Sequence, residues 1–195
     1  MLKGLRRRAL STRSLSKMPT HVESEQEYPI DPREQVSAFS IRRATLDDYD
    51  ALCEVFDEGD VFHRQALPGF FRKTEGPARA VEFIANMLSD PNAAIFVAET
   101  EEEIVGVVNA AIRETPDVPI LVPRRYVWVD SLMVKGSCRR MGVGRALMDR
   151  VHQWAVEQGA TEVELHVWDF NRGAIAFYED LGYATASRRM HKRLP

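Results

Sequence analysis

A β-like run, RYVWVDSLMV at residues 125–134, leads through a short loop and two glycines, Gly142 and Gly144, into a segment with helical periodicity. In that segment the apolar residues Val143, Ala146, Leu147, Val151, Trp154 and Ala155 recur at the helical period, and Gly159 ends it. A strand, a tight turn and an amphipathic helix in direct succession restrict the chain to folds that mix helices with a sheet. The flanking sequence agrees. Strand patterns appear in AFSIRRAT, AAIFVAET, EIVGVVNAAIRET and TEVELHVW, and the chain end is expected to return to strand. Helix patterns appear after Thr45 (LDDYDALCEVF), over 77–90, where Pro77 is expected in the first turn, and over 171–181, closed by Gly182. The class is α/β or α+β.

With 45% hydrophobic and 28% charged residues in 195, the chain has enough apolar surface for one core of its own, which sets aside disordered, collagen-like and disulfide-stapled classes. Its longest apolar runs fall short of the roughly 18 residues a membrane span requires, so no membrane partner is expected. Cys53 and Cys138 stand far apart, without His or Cys at zinc spacing. No metal and no structural disulfide are expected, and a reducing, cytoplasmic setting is the default.

The net charge of −3 conceals an asymmetry. Residues 1–17 hold six basic residues and no acid, leaving 20 Lys and Arg against 29 Asp and Glu, a net −9, in the other 178. That balance argues against nucleic acid as the partner of the folded part and favours a cationic one. The N-terminal stretch is Ser-rich and basic, which fits a mitochondrial transit peptide, a disordered tail or a reading frame whose true start is Met18. Residues 1–37 are expected to be extension and linker, and 38–195 the domain.

Glycines between a strand and a helix let a ligand approach the backbone, and the free N–H groups of the helix start bind anions. Arg139, Arg140 and Arg145 around Met141, Gly142, Val143 and Gly144 add fork-shaped phosphate recognition. The spacing satisfies neither the Walker loop nor the Rossmann fingerprint. Without a ligand, the same residues describe a tight loop with solvated arginines.

RRMGVGRAL, preceded by VDSLMV and followed about thirty residues on by NRGAIAFYEDLGY, resembles the GCN5-related N-acetyltransferase (GNAT) superfamily. Arg139, Gly142 and Gly144 match its [QR]-x-x-G-x-[GA] pattern, and Asn171, Ala174, Phe177, Tyr178, Leu181 and Gly182 its second block. The resemblance implies a mixed, mostly antiparallel sheet of about six to seven strands flanked by about four helices. It also implies acetyl-CoA as donor and an amine as acceptor. The strands VDSLMV and TEVELHVW would splay apart around the pantetheine arm. Backbone N–H groups at Leu132, Met133 and Val134 would meet that arm, and those of Arg140 to Arg145 the pyrophosphate. Asn171 is open to two roles, helix cap and cofactor contact.

Amide formation requires the amine to lose a proton and the leaving thiolate to be stabilised or protonated. Similar proteins place a tyrosine at the position of Tyr178 beside the thioester sulfur; the alternative is a packing aromatic. For the base, period-2 alternation places Asp130 on one face with Trp128 and Leu132, a carboxylate in an apolar row whose pKa burial would raise. Asp130 would act through water, or make a structural hydrogen bond at a strand distortion. Residues 47–60 carry seven acids and no base, either a solvated helix face or an anionic mouth for a cationic amine. His63, Phe70 and Phe71 either line the pocket or pack their loop. The leading expectation is direct acetyl transfer to an amine of a small molecule or protein without a covalent acyl-enzyme; the alternative is a non-catalytic acyl-CoA-binding sensor. The oligomeric state stays open, a homodimer included.

Overall fold

The computed structural model describes residues 39–194; the basic extension, and with it the readings of residues 1–37, lies outside them. In chain order the elements are β1 (Ser40–Arg43), α1 (Tyr49–Ala66), α2 (Val81–Ser89), β2 (Ala93–Glu99), β3 (Ile104–Glu114), β4 (Arg125–Val134), α3 (Val143–Glu157), β5 (Glu162–Leu165) and α4 (Arg172–Asp180). The strands form one sheet in sequential order, antiparallel from β1 to β4 and parallel between β4 and β5.

β2 and most of β3 are buried on both faces, which is why their sequences read as continuous apolar runs. Alternate residues feed two cores. Ala94, Phe96, Ala98, Val105 and Val108 meet Val143, Leu147, Met148, Val151 and Trp154 of α3. Ile95, Val97, Ile104 and Val107 meet Leu52, Val55 and Phe56 of α1 and Ile84 of α2. One face of the sheet therefore carries α3, with Phe177 and Tyr178 of α4 packed on the same core, and the other carries α1 and α2. Gly106 sets how closely α3 lies on the sheet: a Cβ there would meet Val143 Cγ1 at 3.0 Å, Leu147 Cδ1 at 3.1 Å and the Met133 carbonyl at 3.2 Å.

The sheet has five strands among the described residues, against the six to seven expected. The expected C-terminal strand is irregular and exposed, because SRRMHKR offers no alternating apolar face to bury. α2 begins at Val81, and Pro77 lies outside it. The carbonyl of Arg79 accepts the Tyr49 hydroxyl at 2.9 Å and its guanidinium binds Asp60 at 2.7 Å, so tertiary contacts claim the segment that the Pro was expected to open.

Before α1, Asp48 accepts the Thr45 N–H at 2.7 Å and the Arg42 guanidinium at 2.7 and 2.8 Å, while Arg42 also grips Glu99. The Arg42 hydrogen bonds hold the Asp48 carboxyl below its ordinary range. A native pKa below the unfolded one contributes stability that is present above the unfolded value and is lost as pH falls through the native value. Asp48→Asn is therefore expected to lower the melting temperature at neutral pH and to shrink its fall between neutrality and strong acid, as thermal melts across pH would read.

Candidate active site

β5 pairs with β4 over only four residues, 126–129 against 162–165. Beyond Val129, β4 continues along β3 to Val134, but among the described residues its other edge has no strand partner. Leu132, Met133 and Val134 thus lie on an edge whose backbone N–H and C=O groups have no β5 partner. The chain that leaves β5 runs through Trp168 to Asn171, whose side-chain oxygen caps α4 by accepting the Ala174 N–H at 3.1 Å. The capping role is therefore filled.

Past that edge, Arg140 and Gly142 both adopt left-handed backbone, with φ of 67° and 86°. Such a conformation costs a non-glycine residue about 1–3 kcal/mol and marks a turn held by its surroundings. Gly142 caps α3 without a side-chain bond, and Ala146 N–H makes the bond back to the Gly142 carbonyl. The N–H groups of Val143, Gly144 and Arg145 precede that bond and have no intrahelical acceptor, so a concentration of positive dipole faces out. Arg140 and Arg145 are exposed beside them. A Cβ at Gly144 would lie 3.4 Å from Phe177 and 3.8 Å from Val134. The three sequence blocks, the end of β4, the start of α3 and the middle of α4, therefore meet at one place.

Arg139 has a different environment. Its Nε donates to the Val134 carbonyl at 3.0 Å and its Nη2 to Glu58 of α1 at 2.9 Å; Glu58 also accepts the Gly136 N–H at 2.8 Å. The arginine thus ties the turn before α3 to β4 and to α1. Glu58 as the partner was not foreseen, because a bond between residues 81 apart leaves no local signal.

Tyr178 is half-buried, its ring edge-on to Phe177 at 5.2 Å and to Tyr183 at 5.7 Å between centroids. Burial pushes its pKa up to about 12, so the hydroxyl carries its proton at neutral pH. Tyr183 in turn bonds His152 Nε2 at 2.8 Å, fixing the ring behind Tyr178, a support absent from the sequence reading.

Asp130 corrects the expected strand pattern. The β3–β4 register slips between Asn109 and Ala110, which pair with Ser131 and Val129, leaving Asp130 as the extra residue of a bulge. Val127 and Val129 belong to the α3-side core, and so does Leu132, whereas Met133 packs on the α1 side. Leu132 thus does not share the Trp128 face, because the bulge reverses the alternation. Asp130 has polar neighbours: Arg113 Nη2 lies 3.5 Å from its Oδ1 and over the Trp128 ring, and next along the strand Ser131 donates to the buried Asn109. Burial raises the Asp130 pKa, with the Arg113 charge working against it. Asn109 is the one buried polar side chain among the described residues, and an Asn inside VGVVNAAI was the available signal for it.

Of the seven acids in 47–60, Asp48, Glu54, Glu58 and Asp60 face Arg42, Lys135, Arg139 and Arg79. Four of the seven thus tie α1 and the turn before it to β1, to the loop after β4 and to the segment before α2, while Asp47, Asp50 and Asp57 have no ion-pair partner among the described residues. Cys53 and Cys138 are free thiols. No group of metal-ligating side chains occurs among the described residues, and no described helix is long and apolar enough to cross a membrane.

The partnerless edge of β4 among the described residues thus ends beside the start of α3. The profile of the acetyltransferase (GNAT) family matches residues 60–183, and the chain belongs to that family. The N-alpha-acetyltransferase of Sulfurisphaera tokodaii is 31% identical over 150 residues, covering 74% of this chain and 80% of that one. Human N-acetyltransferase 8 is 35% identical over 96 residues, 49% of this chain, which spans only 40% of that protein's length. A crystal structure of a point mutant of the BH1408 protein from Bacillus halodurans shares the fold with a TM-score of 0.76 and 25% identity, covering 80% of this chain and 99% of that one.

Proposed function

We propose that the chain transfers the acetyl group of acetyl-CoA directly to a primary amine. The observation that carries this reading is the four-residue β4–β5 pairing, after which the free edge of β4 leads to the start of α3, where no side chain caps the helix. An extended arm fits along Leu132, Met133 and Val134, and a pyrophosphate fits the amides from Arg140 to Arg145, with the Arg140 and Arg145 side chains close enough in sequence to add charge. Ala174 and Phe177 would close the α4 side, and Asn171 would serve the cofactor through the helix that it caps.

Acetyl-CoA supplies an activated thioester; the chain supplies position and proton traffic. Tyr178, protonated at neutral pH, is the acid that meets the departing sulfur. Asp130 is the base and takes the amine proton through water, since the short side chain at the bulge faces the α1 side of the sheet together with Arg113. The acceptor therefore comes from the α1 face and the donor from the α3 and α4 face. A binding module without turnover would need neither a protonated tyrosine nor a carboxylate at those places, which disfavours that alternative.

An assay of thiol release against a panel of amines tests the reading. Release that depends on both acetyl-CoA and amine is expected; saturable cofactor binding without release would select the sensor. Asp130→Asn is expected to flatten the acidic limb of the pH profile of kcat/KM. In the parent that limb lies above the ordinary carboxylate range, because burial raises this pKa and the carboxylate must be ionised to accept a proton. An unchanged limb would assign the base role to water or to the amine's own ionisation.

A further inference from the structure

Two segments far apart in sequence, 61–74 and 181–195, contain seven cations and no acid: Arg64, Arg72 and Lys73 in the first, Arg188, Arg189, Lys192 and Arg193 in the second. The fold brings them together. Phe70 stacks edge-on against His191 at 5.3 Å and against Trp168 at 5.5 Å, and the Arg193 guanidinium reaches to 3.4 Å from a Cβ built on Gly69. Phe71 also meets Trp168 at 5.5 Å, and His63 meets Phe71 at 5.4 Å and Phe170 at 6.0 Å. The aromatic rings are the cement and the cations the exposed surface. Among the described residues none of the seven is in an ion pair, whereas every acid of α1 that has a basic partner is tied to Arg79, Lys135 or Arg139.

On the transferase reading the location is the acceptor side. Trp168 stands on the stretch that follows β5, Phe170 immediately precedes the cap of the helix bearing Tyr178, and Phe62 and His63 belong to the end of α1. The neighbouring concavity between α1 and the α1–α2 loop sets Arg64, Arg72 and Arg79 against Asp57 and Asp60, so cations prevail there too. In a chain whose remaining residues sum to a deep negative charge, the unpaired cations of these two touching segments form a local field that attracts an anion. Arginine forks match a carboxylate.

We infer that these two segments recognise a negative group on the acceptor, so that the amine acetylated belongs to an anionic molecule, a carboxylate-bearing amine, and not to a polycation. The inference rests on the transferase reading and departs from the cationic acceptor that the chain's charge balance favoured. Free acidic amino acids and peptides with an acidic start share this chemistry.

The test compares glutamate, the peptides Ser-Glu-Glu and Ser-Lys-Lys, and spermidine as acceptors, with parent protein and two variants, Arg72→Glu/Lys73→Glu and Lys192→Glu/Arg193→Glu. Glutamate or Ser-Glu-Glu should give the highest kcat/KM, the better of the two showing whether the source is a small acid or a peptide. Each variant should raise the KM of that acceptor about tenfold or more, the scale of losing one charge-assisted bond, and leave the KM of acetyl-CoA unchanged. Added salt should weaken the parent's preference. A higher kcat/KM for spermidine or Ser-Lys-Lys, or variants that treat acidic acceptors as the parent does, would overturn the inference while leaving the transferase reading intact. Binding of single-stranded RNA with no preference among the acceptors would overturn it in favour of a nucleic-acid surface. Calorimetry of N-acetylated Ser-Glu-Glu on the CoA-loaded protein reads this recognition without turnover: loss of binding in both variants supports it, and equal binding refutes it. No thiol release with any amine would count against the transferase reading instead.

Discussion

Tyr178→Phe is expected to lower kcat by about ten- to a thousandfold, within the lower range of what a positioned acid contributes, with cofactor affinity nearly unchanged. The substitution removes one oxygen and keeps the ring, so the edge-on contacts with Phe177 and Tyr183 survive. The cause of the loss is specific. A hydroxyl whose pKa burial pushes to about 12 is a proton donor throughout the working range, and a phenyl ring has no proton to give. Steady-state kinetics with a thiol readout measure the effect, and a variant that turns over like the parent would reduce Tyr178 to packing. Tyr183→Phe is a useful companion, because it breaks the bond to His152 and leaves the Tyr178 hydroxyl in place. A smaller loss is expected from it.

Gly142→Val is expected to weaken acetyl-CoA binding about ten- to a hundredfold or more, the loss of one or two charge-assisted bonds to a phosphate. At a φ of 86° a β-branched residue is strained, while nothing lies within 4 Å of the added Cβ. The backbone would relax out of the left-handed well and turn the amides at the start of α3 away from their common focus. Calorimetry with acetyl-CoA measures the affinity, and circular dichroism with a thermal melt establishes that the fold persists, with melting lowered only modestly. Full cofactor affinity in this variant would place the pyrophosphate elsewhere.

The helix α3 and its turn were legible because their signals are local: a helical period, glycines at the entry and a glycine at the exit. Asn171 was legible as a cap for the same reason. The bulge at Asp130 was read only as the alternative of a strand distortion, since its cause is the β3 register opposite, and an extra residue in one strand leaves no mark on that strand's own alternation. That single slip moved Leu132 to the other face and exchanged an apolar row for Arg113, Ser131 and Asn109. The acids of α1 were legible only as a total: a charge run says how much charge is present, and only the fold shows that Glu58 and Asp60 answer Arg139 and Arg79. The C-terminal segment was read as strand, and it instead lies irregular, touching Phe70 through His191.

The most direct measurement of the central claim is the stoichiometry of thiol release and amide formation as the amine is titrated into protein with saturating acetyl-CoA. Direct transfer across the β4–β5 cleft predicts one amide per thiol at every amine concentration and no thiol without amine. A burst of thiol in the absence of amine, equal to the protein present, would show an acetylated enzyme and contradict the account.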